Sequence, residues 1–147
     1  MNSITSIAGK RQSGKTTKLI EAYHAQKGGS TDHVLFVVCD YGLHHNEEST
    51  LFQKTDSELT RMRDPDDSAV DNIALVTDIE YLLKLLKSHA EEHSFTAFID
   101  QPELLYYEST VDINARLEEF VDSYPNSITN HTVDIVYTRS KIYKGNK

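Results

Sequence analysis

Gly9-Lys10-Arg11-Gln12-Ser13-Gly14-Lys15-Thr16 fits the pattern G-x-x-x-x-G-K-[ST] without a mismatch, and the residues on either side decide how it is read. Before it, Ser3 to Ala8 (SITSIA) is short and alternating; after it, Lys15 to Lys27 reads as a helix that stops at Gly28-Gly29, a C-cap pair. The octapeptide is therefore expected to join a strand to a helix, the context in which its residue types share a purpose. Glycines at 9 and 14 permit backbone angles and a close approach that a Cβ would forbid, so successive N–H groups of residues 9–16 can turn inward around a phosphate. The first turn of the helix leaves its own N–H groups unpaired and carries about half a positive charge aimed at the same anion. Lys15 adds a full charge at the β and γ oxygens, and the Thr16 hydroxyl is the expected ligand of a Mg²⁺ that otherwise keeps its waters. Thr17 could cap the helix or touch an α-phosphate. Gln12 and Ser13 contribute backbone to the same cradle, while Lys10 and Arg11 either face solvent, add charge over the phosphates or meet a neighbouring subunit.

Outward from this loop the chain alternates strand and helix. His33 to Cys39 (HVLFVVC) is a continuous apolar run, as expected of a strand covered on both faces and lying near the centre of a sheet. Roughly Glu47 to Met62 could form a helix with Leu51, Phe52, Leu59 and Met62 on its apolar side. Asn72 to Val76 is a short strand; Thr77 with Glu80 forms a capping box, and Ile79, Leu82, Leu83 and Leu86 make the stripe of an amphipathic helix. Phe95 to Ile99 is another buried strand, Ser109 or Thr110 opens a helix with Ile113, Leu117, Phe120 and Val121 facing inward, Pro125 closes it, and Thr132 to Thr138 is the last strand. Five strands with intervening helices imply right-handed crossovers and a mostly parallel five-stranded sheet in a three-layer α/β/α sandwich. Ligands of such sheets collect at the carboxyl ends of the strands, here Gly9–Thr17, Cys39–Gly42, Asp100–Glu103 and Thr138–Lys141.

Composition sets the limits. The chain has 147 residues, 38% of them apolar and 26% charged, with no repeat or linker, which is one domain over 1–147. Cys39 is the only cysteine, so a disulfide framework and Cys-rich zinc sites are excluded and a reducing cytoplasm is expected. No apolar run is long enough to span a membrane, and the N-terminus lacks the layout of a signal peptide. Fifteen Lys plus Arg against 23 Asp plus Glu give a formal charge of −8, which repels polyanions unless the contact is local. Local basic patches are Arg61 with Arg63, and the tail Arg139, Lys141, Lys144 and Lys147, which also reads as a solvated end. The seven histidines show no zinc spacing, the His44-His45 pair reads as a solvated loop, and the tyrosines, Tyr106-Tyr107 among them, read as core or rim packing.

Taken together, the loop and the element order resemble the P-loop NTPase superfamily, and specifically its additional-strand branch, which contains RecA-like and genome-packaging ATPases. The wording GKRQSGKTT is similar to the phosphate loops of viral and phage DNA-packaging ATPases, which would place the protein in host cytoplasm if its source is viral. The resemblance implies a P-loop NTPase fold and a Walker B carboxylate that holds magnesium through water. Asp100, at the end of FTAFI, has that form; Asp40, ending VLFVVC, is its competitor. The chain departs from the branch after this acid, reading Asp100-Gln101-Pro102-Glu103 where a Glu usually follows directly. Gln101 can orient a water but cannot take its proton at neutral pH, and Glu103 could reach back to the site. The branch also places a polar sensor beside the γ-phosphate, for which Thr138 is the first candidate. Arg139 could act in cis or as an arginine finger across a subunit boundary, worth about 10³–10⁵ in rate where it operates, or be a surface Arg.

The resulting expectation is Mg²⁺-dependent ATP binding and slow, partner-stimulated hydrolysis by a motor or switch ATPase, in a homo-oligomer if the packaging-type likeness extends that far. ATP is preferred over GTP because no N/T-K-x-D motif is present. One alternative is a nucleoside or nucleotide kinase, although no arginine-bearing lid and no Cys-based zinc unit of the thymidine-kinase type is evident. The other is a non-hydrolysing nucleotide-dependent interaction module. The acidic balance opposes stable nucleic-acid binding by one subunit, whereas a pore lined by the basic tail would escape that objection.

Overall fold

The computed structural model describes residues 2–10, 14–29, 33–40, 48–65, 71–105, 112–123 and 131–140. Its elements alternate along the chain as β1 (Ser3–Gly9), α1 (Lys15–Gly29), β2 (His33–Cys39), α2 (Thr50–Met62), β3 (Ile73–Val76), α3 (Ile79–Glu92), β4 (Phe95–Asp100), a 3₁₀ turn (Pro102–Leu105), α4 (Ile113–Ser123) and β5 (Val133–Ser140). The five strands form one sheet in the order β1-β5-β4-β2-β3, and every pairing is parallel. The expected five-stranded α/β architecture is therefore present.

The two-residue period of the strands sorts their side chains between two cores. Leu35, Val37, Cys39, Ala97, Ile99, Ile135 and Tyr137 pack with Leu82 and Leu86 of α3 and Leu117 and Val121 of α4. Val34, Phe36, Val38 and Phe98 pack with Leu19, Ile20 and Tyr23 of α1 and Leu59 of α2. Two helices thus cover each face, and β2, buried from Val34 to Cys39, reads as an unbroken apolar run because neither of its faces meets water. By the same alternation Asp40, Asp100 and Thr138 fall on the α1/α2 side of the sheet, at its carboxyl edge.

Several boundaries differ from expectation for local reasons. α3 is capped by Asp78, whose carboxylate accepts from the Tyr81 N–H at 2.7 Å, so the Thr77–Glu80 box is not the one used. α4 starts at Ile113, with Asp112 accepting from the N–H groups of Asn114 and Ala115; Ser109, Thr110 and Pro125 lie outside the described residues. α2 starts at Thr50 behind the N-cap Ser49, not near Glu47. β5 starts at Val133 and runs on past Thr138 to Ser140, so Arg139 also belongs to the strand. Among the described residues no helix is long and apolar enough to cross a membrane.

Candidate functional site

The start of α1 and the end of β4 meet at the carboxyl edge of the sheet. Gly14 has φ +84, a left-handed conformation that a side chain would strain, although a Cβ there would meet no atom within 4 Å; backbone angle, not space, calls for glycine. Its carbonyl accepts from the Lys18 N–H at 3.0 Å, closing the first turn of α1. Lys15 is 8% exposed and its ammonium donates to the Lys10 carbonyl at 2.6 Å, folding the lysine back along the loop. Thr17, two residues further along α1, is exposed, and Gly9 closes β1. Arg11, Gln12 and Ser13 lie outside the described residues.

Thr16 turns the other way, into the sheet. Its hydroxyl stands 3.2 Å from Asp100 Oδ1 and 3.1 Å from Oδ2. Asp100 is 1% exposed and also accepts from the Thr138 hydroxyl at 3.1 Å. Burial raises its pKa above the usual carboxylate value, because the charged form is desolvated; hydrogen bonds from Thr16, Thr138 and the Gln101 side chain pull the other way. Of the two acids expected to compete for this place, Asp100 is the one beside Thr16. Asp40 is engaged one strand over, where the Ser49 hydroxyl donates to its Oδ2 at 2.7 Å while accepting the Phe52 N–H as the N-cap of α2.

Thr138, fully buried, accepts the Gln101 N–H at 2.7 Å while donating to Asp100. Gln101 has φ +54, the one positive φ of a non-glycine residue among those described. Glu103 sits half-buried in the turn that follows, and its charge, with those of Asp100 and Asp40, adds to burial in pushing the Cys39 thiol well up. Arg139 is exposed near the end of β5. The basic residues Arg61 and Arg63 are committed to acids: Arg61 to Glu58 at 2.8 Å and Arg63 to Asp71 at 3.9 Å. Lys141, Lys144, Lys147, His44, His45, Tyr106 and Tyr107 lie outside the described residues.

Two features were not read from the sequence. Ser49 had a signal, a serine just ahead of a helix, but the helix was expected to begin earlier. The left-handed turn at Gln101 had none, since Gln rarely adopts it.

The donors gathered here are hard oxygens, one hydroxyl and one carboxylate, on two elements. That set suits Mg²⁺, which is bound by one or two protein oxygens and completes its shell with water and phosphate. Among the described residues no group of three His, Cys, Asp or Glu is disposed to hold a metal. No protein-family model and no curated protein matches the chain.

Proposed function

We propose that the chain is a small Mg²⁺-dependent ATPase of the P-loop type, slow alone and stimulated by a partner. The observation that carries this reading is the contact of Thr16 with Asp100, which joins a phosphate-loop sequence to a buried strand-end carboxylate across 84 residues of chain. The strand order supports it, because β5 lies between β1 and β4, the arrangement that gives the additional-strand branch its description.

The chain's own residues then divide the work. Backbone N–H groups of the loop and of the first turn of α1 bind the phosphates, and Lys15 exchanges the Lys10 carbonyl for phosphate oxygens. Thr16 and Asp100 would hold magnesium, Asp100 through water, and the bound ion would supply neutralisation of charge on the phosphates. Gln101 orients the attacking water without deprotonating it, so turnover is slow. ATP is the favoured nucleotide because the guanine-reading motif is missing from the sequence.

Titration calorimetry with Mg·ATP, paired with phosphate release, tests the proposal. Binding that weakens at least tenfold, about 1.4 kcal/mol, in Lys15→Ala is expected. No heat with any purine triphosphate would end the reading. ADP formation only when a nucleoside acceptor is added would favour a kinase, and tight binding without turnover a nucleotide-gated interaction module.

A further inference from the structure

We infer that Thr138 is a positioning residue: its buried hydroxyl holds Gln101 in a left-handed backbone turn and thereby sets where the Gln101 side chain stands relative to Asp100. The catalytic half of this inference rests on the ATPase reading above; the structural half does not. The β4–β5 ladder ends with Ile99 opposite Tyr137, so the N–H of Gln101 has no strand partner to receive it. The Thr138 hydroxyl, one residue beyond the last rung, takes the place of the missing carbonyl and accepts that N–H at 2.7 Å. Its own proton goes to Asp100 Oδ1 at 3.1 Å, so one hydroxyl serves as acceptor for the turn and donor for the carboxylate.

Pro102 narrows the alternatives. A residue before proline is disfavoured in the right-handed helical region, and an extended Gln101 would continue the strand instead of turning into the 3₁₀ helix at Pro102. The remaining conformation, φ +54, is one that a non-glycine residue keeps only where the surroundings hold it. Below the turn the Gln101 carbonyl accepts the Leu104 N–H at 3.0 Å, so the residue is pinned at both ends. With its proton given to Asp100, one lone pair taken by the Gln101 N–H and no exposed surface, Thr138 acts through Gln101 and Asp100.

The test uses the full chain carrying Thr138→Val, Thr138→Ser, Gln101→Gly or Gln101→Ala. Hydrogen exchange at the Gln101 amide should be at least tenfold faster in Thr138→Val and restored in Thr138→Ser; unchanged exchange in Thr138→Val overturns the clamp. Gln101→Gly should melt above Gln101→Ala, because only glycine adopts the turn freely; the reverse order overturns the strained turn and needs no folded Thr138 variant. With Mg·ATP, kcat should fall at least tenfold in Thr138→Val with the calorimetric Kd unchanged within twofold, and Thr138→Ser should recover it. An unaltered kcat with a loosened amide overturns the positioning role. Absence of Mg·ATP binding in every form, the unaltered protein included, sinks the ATPase reading and this role with it, while the exchange and melting data still decide the clamp.

Discussion

Thr16 Oγ1 and Asp100 Oδ2 lie 3.1 Å apart, although 84 residues separate them in the chain. Alternation along β4 sends Phe95, Ala97 and Ile99 toward α3 and α4, and leaves Asp100 facing the start of α1. A one-residue shift of that strand would turn the acid to the other face.

Removing the charge from Asp100 should stabilise the ligand-free fold. The carboxyl is desolvated, and its raised pKa records that the charged form is disfavoured there. Asp100→Asn keeps the shape and one acceptor oxygen for the Thr138 hydroxyl, and its amide can donate to the Thr16 hydroxyl once that group rotates. We therefore expect the ligand-free melting temperature at neutral pH to rise by about 2–4 °C, roughly 1 kcal/mol, while the hydrolysis proposed above is lost. Thermal unfolding monitored by circular dichroism decides it; a lower melting temperature refutes it.

Asp71 should be among the costliest acids to remove. It receives Lys27 Nζ at 2.7 Å, with both side chains under 10% exposed, and Arg63 approaches at 3.9 Å. The Tyr23 hydroxyl, 3.5 Å away, accepts the Asn72 N–H. Asp71→Ala removes the carboxylate that both Lys27 and Arg63 face, and a loss of about 3–5 kcal/mol is expected in urea unfolding. Adding Lys27→Met should recover much of it.

Acid should weaken the fold through His93. Its ring stacks on His33 at 3.7 Å between centroids, and its Nδ1 is buried without a hydrogen-bond partner. Burial lowers its pKa from 6.5, neighbouring His33, His89 and His131 lower it further, and only Glu92 opposes them. The unfolded chain therefore binds this proton at higher pH than the folded one, so stability falls as pH drops through about 6.5 and levels once the folded ring is also charged. His93→Phe should flatten the dependence of the urea midpoint on pH between about 5 and 7.

Cys39 should resist thiol reagents in the native state. The thiol is fully buried, and desolvation together with Asp100, Glu103 and Asp40 keeps it protonated. Its reaction with a disulfide reagent should track the unfolded fraction in urea, and rapid modification without denaturant would contradict the packing.

The sheet was legible because its signals are local. HVLFVVC reads as a strand hidden on both faces and the stripe Ile79, Leu82, Leu83, Leu86 as a helix facing a core, and both are present. The Thr16 and Asp100 partnership was legible because motif and strand end each announce a residue type. What escaped the sequence was set by competition and by distance. Thr77 and Asp78 both cap helices well, and the choice fell to the residue whose carboxylate reaches the Tyr81 N–H. The bonding of Thr138 depends on where a ladder stops, which is a property of two strands and not of either one.

β1 and β4 are not neighbours; β5 alone lies between them and sets their separation, about 10 Å at two strand spacings. The loop and the acid are thus brought into register by the element whose residues are synthesised last among those described. A folding intermediate that lacks docked Val133–Ser140 has no strand to set the spacing of Thr16 and Asp100, so any property that needs this pair is expected to arise only once β5 has joined the sheet.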